Sequence, residues 1–177
     1  MVFIPYIALS CFLLVAMVND LISYRVSNKL IVLGLLFAIM LQVSKYQALG
    51  ILYFLLGAMV PVLILFLLFL GNVLGAGDIK LFAVVGGSLG ITIGIHCIWY
   101  SFVAGAILTI FLLIIRGNFL LRFQHFTHFI CTCFICRSIS VYCDRETRDQ
   151  SKFHFTIAIF VGFLCLAIKQ IWKGEVW

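Results

Sequence analysis

From Ala48 to Leu70 the chain carries no charged residue. A run of about twenty apolar residues is long enough to cross a bilayer. Inside hydrocarbon every backbone N–H and C=O must find its partner within the segment, so such a run folds as a helix. Comparable runs extend from Val2 to Val18, Leu30 to Val43, Ile79 to His96, Cys97 to Ile115 and Phe153 to Trp172, the second of them short for a span. They predict an all-α integral membrane protein of about six transmembrane helices, forming a single domain over residues 1–177. The composition excludes an ordinary soluble domain: 65% of residues are hydrophobic, 10% are charged, and the mean hydropathy is +1.25.

The first run has no Lys or Arg ahead of it and is followed by Asn19, Asp20 and Arg25. It reads as a retained helix and not as a cleaved secretory signal. With the N-terminus outside, the inner loops hold Arg25, Lys29, Lys80, Arg116, Arg122, Arg137, Arg145, Arg148 and Lys152. Only Lys45, Lys169 and Lys173 fall elsewhere. That asymmetry obeys the positive-inside rule. The net charge of +6 therefore reads as topology and contact with anionic headgroups, not as a nucleic-acid patch.

Residues 116–152 form the one long inner segment. Arg122, His125, His128 and Thr132 alternate at helical spacing with Phe119, Phe123, Phe126, Ile130 and Phe134, which predicts an amphipathic helix lying along the cytoplasmic interface. A seventh span is the rival reading, weakened by Arg122 inside it. The mixed-charge stretch from Asp144 to Asp149 reads as a solvated loop.

Two acids stand out. Asp20 and Asp78 are the only acidic residues before Asp144, and the topology puts both at the cytoplasmic ends of their helices. A carboxylate near hydrocarbon costs at least a few kcal/mol, so it marks a site, a pathway or a paired structural ion. Two carboxylates held together share one proton. That state suits peptide hydrolysis, in which the ionised partner takes a proton from water while the protonated one polarises the scissile carbonyl. Gly75 and Gly77, just ahead of Asp78, lack a β-carbon and permit positive φ, which would let a substrate backbone approach the acid. The alternative is structural: each acid ends a helix and pairs with a nearby cation, Arg25 or Lys80.

Gly86, Gly90 and Gly94 recur at steps of four, with Gly87 beside the first. Small residues at that spacing let helix backbones approach closely in lipid, here read as packing within the chain. Cys131, Cys133, Cys136 and Cys143 lie near His125 and His128, but the spacing lacks two clean Cys-x-x-Cys pairs, so no metal and no cofactor is expected. His96 and His154 read as span-end residues, and Trp99, Trp172 and Trp177 as interfacial anchors.

The chain resembles the type IV prepilin peptidases and archaeal preflagellin peptidases, membrane aspartic proteases named for a Gly-x-Gly-Asp motif. Gly75-Ala76-Gly77-Asp78-Ile79-Lys80-Leu81 is similar to the family's second aspartate motif, lysine included. Asp20 to Asn28 is similar to the first, although Ser27 stands where proline is usual. Phe153 to Gly162 is similar to a late segment in which an aromatic residue precedes a small apolar helix start; Lys152 and His154 replace prolines common there. The resemblance implies a catalytic dyad of Asp20 and Asp78, loop-shaping roles for Gly75 and Gly77, and orientation of the first-aspartate loop by Arg25 and Asn28. Lys80 would tune the dyad or anchor a headgroup.

It further implies cleavage of a short basic leader from pilin, pseudopilin or preflagellin precursors at the cytoplasmic face of the plasma (inner) membrane. Pilus assembly or secretion machinery would be a partner. Larger members carry a cysteine-rich cytoplasmic domain that N-methylates the trimmed end. The chain has no room for one before Asp20, so it looks like the short, peptidase-only form found with tight-adherence pilus systems. Two other function classes remain open on the residues alone: a small transporter using the acids as proton relays, and an inert subunit of a secretion machine.

Overall fold

The apolar runs fold as helices. A computed structural model describes residues 4–23, 26–71, 73–115 and 155–173. Six α-helices run through them: α1 (Ile4–Ser23), α2 (Asn28–Tyr46), α3 (Gly50–Leu70), α4 (Ala76–Leu89), α5 (Ile91–Ile115) and α6 (Phe155–Lys173). Among the described residues four stretches are long and apolar enough to cross a membrane: Ile4–Ser23, Asn28–Leu70, Ile91–Leu112 and Phe155–Trp172. The second holds both α2 and α3, which turn back on each other through the 3-10 turn Gln47–Leu49. Gln47 takes φ 53 at that turn, and Tyr46 and Tyr53 bring their rings within 4.6 Å across it.

The chain divides into two compact units, residues 1–105 with 154–177, and residues 106–153. Of the second, the described part is the C-terminal end of α5, where Ile107, Ile110, Phe111 and Ile114 are exposed apolar residues. The amphipathic helix expected within 116–152 and the cluster Cys131, Cys133, Cys136 and Cys143 lie outside the described residues. So do Arg25, His154 and Trp177.

In the first unit α4 is the hub. Ile79 and every residue from Leu81 to Leu89 are buried, and the helix packs on α2 and α3 while touching α1 and α6. Its 14 residues span about 21 Å at 1.5 Å per residue, short of a hydrocarbon core of ~30 Å. A short apolar helix is stable here because protein surrounds it on several sides. Its neighbours bury single stripes at helical spacing, such as Leu9, Leu13 and Ala16 on α1, and Phe54, Gly57, Pro61 and Leu65 on α3.

Gly57 and Gly86 bring α3 and α4 into backbone contact. A Cβ at either position would run into the carbonyl of the other. The Pro61 ring fills the space beside them, 2.8 Å from where a Gly86 Cβ would stand and 3.3 Å from that of Gly94. Intramolecular glycine packing thus holds, but the three glycines do not share one helix. Gly90 takes φ 93 and ends α4, a conformation that L side chains adopt only at a cost.

This moves an expected boundary. The runs Ile79 to His96 and Cys97 to Ile115 break at Gly90, not after His96, and α5 continues for 25 residues. His96 therefore sits inside α5, its Nδ1 2.7 Å from the Thr92 carbonyl. The apolar sequence runs on without interruption through this point, so only the glycine's backbone freedom marks the turn.

Candidate functional site

Asp78 occupies the first turn of α4, three residues after Gly75, whose extended backbone (φ −75, ψ 148) starts the helix. An acid at that position can reach back to the helix entrance, as in a capping box. Here the Asp78 carboxylate accepts a backbone hydrogen bond from Gly75, and the Gly75 carbonyl accepts from the Asp78 and Ile79 amides at 3.1 and 3.4 Å. A Cβ on Gly75 would stand 3.2 Å from Asp78 Oδ2. A side chain there would press the carboxylate aside by a few tenths of an ångström. The expected positive φ is absent at both motif glycines, since Gly75 has φ −75 and Gly77 is helical, and among the described residues Gly90 is the one glycine with positive φ. The helical N-terminus imposes αR geometry on Gly77.

Asp20 lies in the last turn of α1. Thr156, the second residue of α6, is 1% exposed and reaches both acids: its Oγ1 donates to Asp20 Oδ2 at 2.8 Å and lies 3.5 Å from Asp78 Oδ1. The structure therefore brings Asp20 and Asp78 together around one hydroxyl. Phe155 secures the start of α6, its ring centroid 6.5 Å from that of Phe82 on α4 and 5.5 Å from that of Phe102 on α5. Both α4 and α6 turn their N-termini, the positive ends of their dipoles, toward the acids.

Burial first, and then the charge of Asp20, push the Asp78 carboxyl up from 3.8 to about 6. The hydrogen bonds from Gly75 and Thr156 oppose the rise without cancelling it. Asp78 thus holds its proton above the ordinary carboxylate range.

The other motif residues lock the two loops. Lys80 Nζ donates to Asn28 Oδ1 at 3.0 Å, a link the sequence reading did not anticipate. Val26 Cγ2 lies 3.5 Å from where a Gly77 Cβ would stand, an ordinary contact. Sequence reasoning assigned Thr156 no role. Its only signal was its place in the stretch Phe153 to Gly162, as a hydroxyl among apolar residues. Among the described residues no group of three His, Cys, Asp or Glu side chains could hold a metal ion.

Apolar helices long enough to span a bilayer, with two acids brought together at helix ends, define a multi-pass membrane protein with a carboxylate pair at its candidate site. The chain belongs to the type IV leader peptidase family, whose model matches residues 7–110 and so covers both acids and the Gly75 to Lys80 motif. That membership makes it a protease-like membrane protein. No curated protein and no solved structure matches the chain.

Proposed function

We propose that this protein is a membrane-embedded aspartic endopeptidase that removes the leader of pilin, pseudopilin or preflagellin precursors at the cytoplasmic face, with Asp20 and Asp78 as its catalytic dyad. The observation that carries this reading is the Thr156 hydroxyl within reach of both carboxylates, because it ties the acids of α1 and α4 to α6 as one unit. One ionised and one protonated carboxyl suffice for hydrolysis. The ionised acid takes a proton from water as its oxygen bonds to the scissile carbonyl carbon, and the protonated acid donates to the carbonyl oxygen. Collapse of the resulting diol breaks the C–N bond, with a proton delivered to the departing amine. Substrate must enter unwound, since a helix holds its peptide groups in its own hydrogen bonds.

A direct test is co-expression with a precursor bearing a short basic leader that ends in glycine ahead of an apolar run. Leader removal by the parent chain, lost in Asp20→Ala and in Asp78→Ala, supports the proposal. Normal processing by both variants would sink it.

A further inference from the structure

The two acids of the pair are not equivalent in their surroundings. Asp20 accepts from the Thr156 hydroxyl at 2.8 Å, a full-strength O–H···O distance, whereas Asp78 lies 3.5 Å away, at the outer limit. A hydroxyl owns one hydrogen and can donate to one carboxylate at a time. Thr156 is 1% exposed, so bulk water does not compete for that hydrogen. The other charged side chains of α2 and α4 at this end, among the described residues, are Lys29 and Lys80. Both are exposed, and Lys80 donates to Asn28.

We propose that Thr156 is a positioning residue that divides the labour of the pair: its hydrogen goes to Asp20, which serves as the ionised base, and the shared proton stays on Asp78, which serves as the acid. This rests on the peptidase reading and adds an assignment of roles to it. A donated hydrogen bond stabilises the ionised form of its acceptor. With Thr156 committed to Asp20, the protonated Asp78 carboxyl can itself donate along the longer contact, so that the two acids and the hydroxyl form a directional chain. The raised affinity of Asp78 for its proton comes from burial and the Asp20 charge and persists against the Thr156 contact, which agrees with this order. In the hydrolytic step Asp20 receives the proton of the attacking water, and Asp78 delivers its own to the carbonyl oxygen. Thr156 transfers nothing and keeps the two roles from exchanging.

The test compares Thr156→Val, which keeps the β-branched shape and removes the hydroxyl, with Thr156→Ser, which keeps the hydroxyl. The full chain is purified in detergent and each variant is checked for folding by thermal denaturation. The probe is a synthetic peptide with a basic leader ending in glycine before an apolar segment. Turnover falls at least about tenfold in Thr156→Val, the scale of one hydrogen bond to a charged group, and is rescued in Thr156→Ser. Infrared spectra recorded between pH 3.8 and about 6 show a protonated carboxyl band that Asp78→Asn removes and Asp20→Asn retains.

Wild-type turnover in folded Thr156→Val overturns the proposal. Equal losses in the folded Val and Ser variants overturn it too, because a packing role alone explains them. A band removed by Asp20→Asn and retained in Asp78→Asn places the proton on the wrong acid. Cleavage by both aspartate variants instead removes the peptidase reading, a result the infrared assignment does not depend on.

Discussion

Lys80 on α4 donates to Asn28 on α2 at 3.0 Å, which ties the segment after Asp20 to the helix that carries Asp78. The link joins the two acid-bearing motifs directly, although 52 residues separate its partners. Replacing Lys80 with Met removes the donor at an exposed position, so the cost in stability stays below about 1 kcal/mol. Leader cleavage drops several-fold while the melting temperature in detergent barely moves. A protein that unfolds on this change would mean that the link serves the fold instead.

The proton held by Asp78 gives the proposed reaction an alkaline limit. With Asp78 raised to about 6, kcat/KM for a leader peptide falls as pH rises through that value. Folding also becomes pH-dependent. The folded chain binds the Asp78 proton more tightly than the unfolded chain, so this contribution to stability is fully present below 3.8 and is lost as pH rises through about 6. The charge of Asp20 is the second cause of the rise. Asp20→Asn should therefore shift the Asp78 step in a stability-versus-pH series downward, and an unmoved step would contradict the coupling.

Gly75→Ala places a Cβ 3.2 Å from Asp78 Oδ2, so the carboxylate must shift by a few tenths of an ångström. Cleavage falls by about tenfold or more, because misplacement of a reacting group is expensive, while the fold survives. Gly77→Ala meets only the Val26 methyl at 3.5 Å and produces a smaller loss. A rate assay on the two variants side by side reads the difference.

Gly86→Val separates packing from chemistry. Its Cβ collides with the Gly57 carbonyl, and the Pro61 ring closes off an alternative position. Overpacking of this kind costs about 1–3 kcal/mol or more, visible as a lower midpoint in detergent unfolding. Gly90→Ala meets no atom within 4 Å, so its penalty is the backbone term alone, about 1–3 kcal/mol for φ 93 with ψ 171.

Much of the helical architecture was legible in the chain. Ala48 to Leu70 lacks charge, and α3 covers Gly50–Leu70. The run Leu30 to Val43 looked short, yet α2 extends from Asn28 to Tyr46 because Asn28, Lys29 and Lys45 are tolerated at helix ends. The break at Gly90 was not legible, since Gly86, Gly87 and Gly94 carry the same letter inside helices and nothing local distinguishes the one that turns.

The sequence by itself determined that the chain is apolar enough to cross a membrane several times, and that Asp20 and Asp78 stand at helix ends able to lie on one face. Hydrophobicity and charge placement act locally, and a chain displays them directly. Only the tertiary structure decided what surrounds those acids. Thr156 lies 136 residues from Asp20 and 78 from Asp78, and no periodicity reports a contact of that kind. The packing of Phe155 against Phe82 and Phe102, and the backbone contact of Gly57 with Gly86, set the approach of α6 and α4. That approach brings one buried hydroxyl to two carboxylates.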